Sequence, residues 1–164
     1  MKKMAAVLFL CLCVMGCSKK KSPEGPYGLW KGMDRDDINL CCQIEKTAQV
    51  NREASIMKVA MVPKPDEAFR SYYLHFTRTE GVFAVNSSTG SIPVTQAQHI
   101  FDQTVQDLTS QYGLPTREAQ NGDLIWDQPR SRIGIFRITA SIQPANDSSV
   151  VVLFYIFDNN KTYS

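Results

Sequence analysis

Two stretches near the C-terminus decide how this chain folds: IGIFRITASI at Ile133–Ile142 and VVVLFYIF at Val150–Phe157. In the first, Ile133, Ile135, Arg137, Thr139 and Ser141 alternate with Gly134, Phe136, Ile138, Ala140 and Ile142. A period of two is the signature of a strand. The second is almost wholly apolar and predicts a central strand covered on both faces. Gln143–Ser149 between them reads as a turn region. Leu124-Ile125-Trp126 follows an Asn121-Gly122 turn and adds a third strand. The end of the chain is therefore expected to be a meander.

Upstream lies the clearest helix, Thr95–Tyr112. Ala97, Phe101, Val105, Leu108 and Tyr112 recur at helical spacing and form one apolar face. Thr95 and Gln98 have the capping-box spacing, Gly113 supplies the stop, and Pro115 blocks continuation. Before it, Tyr72, Leu74 and Phe76 alternate with Tyr73, His75 and Thr77. Thr79-Glu80-Gly81 turns the chain and Val82–Val85 returns as a hairpin arm. Asn86–Gly90 reads as a polar turn. Ile56–Val62 is another strand, stopped by Pro63 and Pro65. A first, shorter helix is expected from Asp34, a natural N-cap, through Ile38, Cys41, Cys42 and Ile44, ending before Asn51. The order is helix, strand, hairpin, helix, meander. It predicts an α+β fold of two layers, with helices packed on one face of an antiparallel sheet. Each half opens with a helix and continues into strands, which suggests a weak internal duplication.

The N-terminus is an address. Lys2 and Lys3 precede the apolar stretch Met4–Met15, and Gly16 precedes Cys17. This is the pattern of a secretory signal peptide over residues 1–16, too short to span a bilayer comfortably. Val14-Met15-Gly16-Cys17 resembles a bacterial lipobox. That resemblance implies cleavage before Cys17 and lipidation of Cys17, a palmitate-type anchor holding the chain to the membrane. Ser18, where aspartate would favour the inner membrane, points to the outer membrane and a domain facing the periplasm. Residues 17–26 are charged and rich in Pro and Gly, with nothing apolar to bury before the domain. They read as a flexible tether, leaving residues 27–164 as a single domain.

The chain has 164 residues, 43% hydrophobic and 21% charged, which fits one globular domain and excludes a collagen-like or wholly disordered chain. From Gly28 onward acidic residues outnumber basic ones by two. With no basic excess, nucleic acid is not an expected partner. Of five cysteines, only Cys41 and Cys42 fall in the domain. They are adjacent, so closing a disulfide between them strains the intervening peptide, and no Cys-x-x-Cys spacing is present.

Gly32-Met33 followed by Asp34, Asp36, Asp37 and Ile38, together with Leu108…Tyr112-Gly113-Leu114-Pro115…Trp126-Asp127, resembles the opening and close of small bacterial envelope lipoproteins of the SmpA/OmlA type. Those are accessory lipoproteins of the outer-membrane β-barrel assembly machine. Similar features occur in the β-lactamase-inhibitor-like fold. The resemblance covers scattered positions from Gly28 to Asp127. It implies a two-layer α+β, periplasm-facing, non-catalytic domain. The long β segment after Asp127 departs from the accessory lipoproteins, and no functional residue is carried over.

The sequence offers no catalytic residue, no metal site and no cofactor motif. His99 and Asp102 are three apart on one helix face, a common surface arrangement. Ser87, Ser88 and Ser91 lack a nucleophile elbow. Asp34, Asp36 and Asp37 are explained by a helix start. The nine glycines show no phosphate-loop spacing. Arg130, Arg132 and Arg137, flanked by Trp126 and Phe136, form a candidate partner-binding patch, since Trp and Arg are favoured at interface centres. The same residues would also suit a charged edge strand that resists aggregation. One of Tyr72 and Tyr73 must face outward, and an outward Tyr73 is a candidate anchor. The leading expectation is a membrane-anchored, non-enzymatic lipoprotein that binds an envelope protein. An inhibitor or immunity-type lipoprotein acting on a hydrolase or toxin is the second reading, and a small-ligand carrier the third.

Overall fold

The computed structural model describes residues 25–129, 131 and 133–157. The signal segment, Cys17, Arg130 and Arg132 lie outside the described residues. So do residues 17–24 of the tether, whereas Gly25 and Pro26 are within it. The Gly28 N–H donates to the Gly25 carbonyl (3.2 Å) and the Leu29 N–H to the Pro26 carbonyl (3.0 Å), closing a 3-10 turn over Pro26–Gly28.

Asp34 then caps α1, Arg35–Cys41. Its side chain accepts from the Asp37 backbone N–H at 2.9 Å, and the Asp37 carboxylate accepts from the Asp34 N–H at 3.3 Å. The helix has only two turns and buries Ile38. It runs straight into β1, Gln43–Gln49, which pairs with β2, Ala54–Met61. Strands β3 (Ser71–Thr77) and β4 (Gly81–Ser88) complete an antiparallel meander. Helix α2, Val94–Tyr112, opens the second half. It is followed by β5 (Arg117–Glu118), β6 (Leu124–Asp127), β7 (Ile135–Ala145) and β8 (Ser148–Phe157). The eight strands form one sheet in the order β1-β2-β3-β4-β8-β7-β6-β5. Each half is thus a helix followed by a four-strand meander, and the two meanders meet where β4 pairs with β8.

This overturns the expected two-layer α+β fold. Among the described residues the molecule is mostly β: one wide antiparallel sheet with a single long helix. Helix α1 is too short to form a layer, and α2 packs mainly on β7 and β8. Three misreadings share one physical cause. Residues 43–49 were expected to extend the first helix, because Gln, Glu, Lys and Ala suit helices and only Ile44 is strongly apolar. At a sheet edge, however, a strand is held mainly by its ladder to β2 and needs little burial. Asn86–Ser88 and Gln143–Ala145 are polar, yet both continue strands. Ladder bonds to β8 carry them, and the second turn tightens to Asn146-Asp147, with Asn146 at φ 54°.

The core lies on one side of the sheet. Leu29, Met33 and Ile38 cover the first half together with Val62 and Phe69 from the β2–β3 connection. Ala97 and Leu108 of α2 cover the second half. Strand β8 is central but covered on one face: Val151, Leu153, Tyr155 and Phe157 are buried, while Val152, Phe154 and Ile156 are half-buried. Helix α2 begins one residue early, with Pro93 at its N-cap and no side-chain cap. The Gln98 amide bonds Asp102 (2.8 Å), so the Thr95–Gln98 capping box does not form.

Candidate functional site

Alternation sends every second side chain of each strand away from the core. The register then assembles those side chains into rows. One row crosses all eight strands: Lys46, Lys58, Tyr73, Asn86, Phe154, Thr139, Ile125 and Arg117. The next runs Ala48, Ile56, His75, Ala84, Ile156, Arg137 and Asp127. The buried residues of α1 and α2, Ile38, Ala97 and Leu108, lie in the core on the other side. Among the described residues, no helix covers this face.

Its centre is aromatic and aliphatic. Tyr73, Phe83, Phe154, Ile156, Val152 and Ile56 are half-buried, and none of them belongs to the core cluster. The His75 ring meets Phe83 edge-on at 6.0 Å between centroids and Phe154 at 5.2 Å. Burial among these rings pushes the His75 pKa below its ordinary value, because the charged imidazolium loses hydration there. The neutral ring is therefore the form at pH 7.

The two wings are charged. On one, Lys58 Nζ lies 2.6 Å from Glu45 Oε2, which holds the lysine pKa above its ordinary value, and Lys46 stands beside it in the row. On the other, Asp127 takes Arg117 Nε at 2.9 Å and Arg137 Nε at 2.5 Å. Those two guanidinium groups hold the Asp127 carboxyl below its ordinary value. The Arg137 guanidinium also sits 5.6 Å from the Phe136 ring centroid, a cation–π distance. Among the described residues named on these wings, four bases thus stand with two acids.

The residues singled out from sequence separate. Tyr73 stands on the open face, in the row with Phe154. Trp126 does not: it is 1% exposed, lies on the core side of β6, and donates from Nε1 to the Gly113 carbonyl at 2.8 Å. As a buried anchor between β6 and the end of α2, it is unavailable to a partner. Arg137 reaches the open face. Phe154, Ile156 and Phe83 were missed. For Phe154 and Ile156 the signal was the apolar run in β8, which was read as covered on both sides; Phe83 sits in β4 where the register to β3 shifts, which local patterning does not reveal.

The reactive side chains do not converge. Ser87 is fully buried on the core side, with its hydroxyl 2.6 Å from that of Tyr27, whereas His75 is on the opposite face. Cys41 and Cys42 are free thiols with sulfurs 3.6 Å apart. Burial and the Cys41 contact push the Cys42 pKa up to about 12, so it stays protonated. Among the described residues, no three His, Cys, Asp or Glu side chains gather as metal ligands. No helix of these residues is long and apolar enough to cross a membrane. Comparison with protein families, with curated proteins and with solved structures returns no match.

Proposed function

We propose that the chain is a membrane-anchored envelope lipoprotein with a non-catalytic, protein-binding domain, and that the helix-free face of the sheet is its binding surface. The observation that carries this reading is the half-buried aromatic centre flanked by bases on both wings. Interfaces favour this anatomy: an aromatic core and a polar, charged rim. The partner is a protein presenting apolar groups ringed by carboxylates. The domain as a whole is slightly acidic from Gly28 onward, so the local excess of bases on this face is a directed feature. Such charges steer encounter and set orientation more than they add affinity. Lipidation of Cys17 and the tether supply the location. They support the reading through the pattern of the first residues alone.

The test places a photo-crosslinking residue at Tyr73 or Phe154 in the full chain in cells. A control carries it at Gln106, on the exposed side of α2, and Cys17→Ala removes the anchor. The expected result is one protein captured from the sheet positions and not from Gln106, with capture lost in Cys17→Ala. The purified pair should lose affinity about tenfold on Arg137→Glu, and in added salt, as rim charges are screened. Equal capture from Gln106, or binding indifferent to both Arg137→Glu and Phe154→Glu, would overturn the proposal. So would an internal crosslink to residues 158–164, which would mean that the chain covers its own face. A secreted hydrolase or toxin as the captured protein selects the inhibitor form of this reading. An envelope-assembly protein selects the accessory form.

A further inference from the structure

The two edges of the sheet differ. β5 is a strand of two residues, Arg117–Glu118, and offers almost no ladder. β1 is seven residues long, and among the described residues no strand pairs with its outer side. A bulge interrupts it between Ile44, opposite Val59, and Lys46, opposite Lys58. From Lys46 onward the register is regular: Thr47 faces Met57, Ala48 faces Ile56 and Gln49 faces Ser55. The bulge restricts any further pairing to this short stretch.

The direction of the backbone groups follows. The Val50 N–H donates to the Ala54 carbonyl at 2.9 Å, so Val50 turns its backbone towards β2. Antiparallel pairing alternates bonded and non-bonded positions. Lys46 and Ala48 therefore bond β2 as well, whereas Thr47 and Gln49 turn their N–H and C=O groups outward. All four residues are exposed. A row of outward N–H and C=O groups is a template for another strand.

The surroundings of this edge suit a copy of itself. On the helix side, Thr47 and Gln49 border a cleft of about 540 Å³. Arg35, Arg52 and Arg78 line it with Asp34, Asp36 and Glu53, three bases and three acids. A surface of balanced sign meets its own copy without net repulsion, and a twofold interface brings the same patch to both sides. The order of side chains fits too. A twofold axis at Ala48 sets Thr47 of one copy opposite Gln49 of the other, and Lys46 opposite Val50. No like charges then face each other, and Val50, 60% exposed, is covered by the aliphatic stem of Lys46. An axis at Lys46 or Glu45 would oppose like charges, and one at Thr47 would draw on Glu45 at the bulge. Ala48 meets Ala48 as a non-bonded pair, where Cα atoms come within about 4.5 Å. Its methyl group leaves room for that approach.

We propose that β1 is the interface of a twofold homodimer, in which the β1 strands of two copies pair antiparallel about Ala48 and join two sheets into one. Thr47 and Gln49 exchange their outward backbone hydrogen bonds with their opposites. The axis stands normal to the sheet, so both helix-free faces lie on the same side. The edge and that face are different surfaces, and the dimer does not depend on what the face binds.

Sedimentation of the purified full chain across a range of concentrations tests this. The expected result is a reversible monomer–dimer equilibrium, weakened at least about tenfold by Ala48→Glu, which sets like charges on the axis. Ala48 is exposed, so Ala48→Glu should melt with the dilute parent chain. Thr47→Pro removes an outward N–H and should weaken the dimer as well. Under mild oxidation Ala48→Cys should form a linked dimer, since about 4.5 Å between Cα atoms suits a disulfide. Mass spectrometry should place the link between the two substituted positions, and Gln106→Cys, on α2, should give no such product. A chain that stays monomeric up to about 1 mM would overturn the proposal. So would a dimer indifferent to Ala48→Glu, or equal linking through Gln106→Cys.

Discussion

His75 shows how a single residue reports on the open face. Its ring is held between Phe83 and Phe154, and burial lowers its pKa from 6.5. Below pH 6.5 the folded chain therefore binds fewer protons at this site than the unfolded chain. The stability contribution is complete above pH 6.5 and is lost as pH falls through the folded pKa. We expect His75→Gln to remove this part of the pH dependence. Urea melts of both proteins between pH 7.5 and 4.5 check it: the stability difference should shift in this window and stay flat above it. A partner protein covering this face should lower the pKa further, visible as a shift of the imidazole NMR titration. Trp126 carries the opposite lesson. Alternation along Leu124-Ile125-Trp126 says that neighbours face opposite ways, but not which face is the core. The register of β6 on β7 decides that, and it is a long-range property. Tyr73 was legible as outward because Tyr72, Leu74 and Phe76 outweigh its own side in apolar bulk.

At the scale of elements, the two helix starts give a paired prediction. Asp34 makes reciprocal cap bonds with Asp37, whereas Thr95 caps nothing. Asp34→Ala should cost about 1 kcal/mol, and Thr95→Ala should fall within about 0.5 kcal/mol of neutral. Chemical denaturation of the two variants checks both values. The β3–β4 hairpin gives a second prediction. Gly81 has φ 70°, and a Cβ there would lie 2.6 Å from both the Gly32 carbonyl carbon and the Met33 carbonyl oxygen. Backbone bonds from Gly32 N–H to Val82 O (2.9 Å) and from Val82 N–H to Met33 O (3.0 Å) hold the segments that close. Gly81→Ala should therefore destabilise by more than about 1 kcal/mol. Gly122→Ala, with φ 83° and open space around it, should cost less, and the same melts rank them. Helix α2 was readable because five apolar residues at helical spacing leave no other period. Strand β1 was not, since QIEKTAQ buries almost nothing and its partner lies beyond a turn. Where a segment is held by backbone bonds and not by burial, side-chain patterning has little to say.

For the whole molecule, the seam between β4 and β8 decides cooperativity. Its register runs from Ala84 opposite Ile156 to Ser88 opposite Val152. Cutting the chain between Gly90 and Ser91 would leave each half with its last strand unpaired along one side. We expect neither fragment to fold alone and the two to regain a cooperative melt when mixed, as followed by circular dichroism. A fragment with native-like melting by itself would refute this. The helix-then-strands order of each half could be read from the chain. The single continuous sheet could not, because β4 and β8 are separated by an entire helix and three strands. That same distance is why the two-layer expectation failed: the helices were visible, but not the width of the sheet beneath them.

An antiparallel pair formed by the last strand of each half is what a twofold axis through the sheet would produce from two copies of one unit. The strand order is that of two meanders joined last strand to last strand, but the halves do not match: α1 has seven residues against nineteen in α2, and β1 seven against two in β5. A sheet with identical halves must offer any visitor the same wing twice, and so accepts it in two equivalent poses. Here Lys46 and Lys58 stand on one wing and the Arg117–Asp127–Arg137 cluster on the other. Broken symmetry gives the surface a direction, so a single guest can be seated one way round.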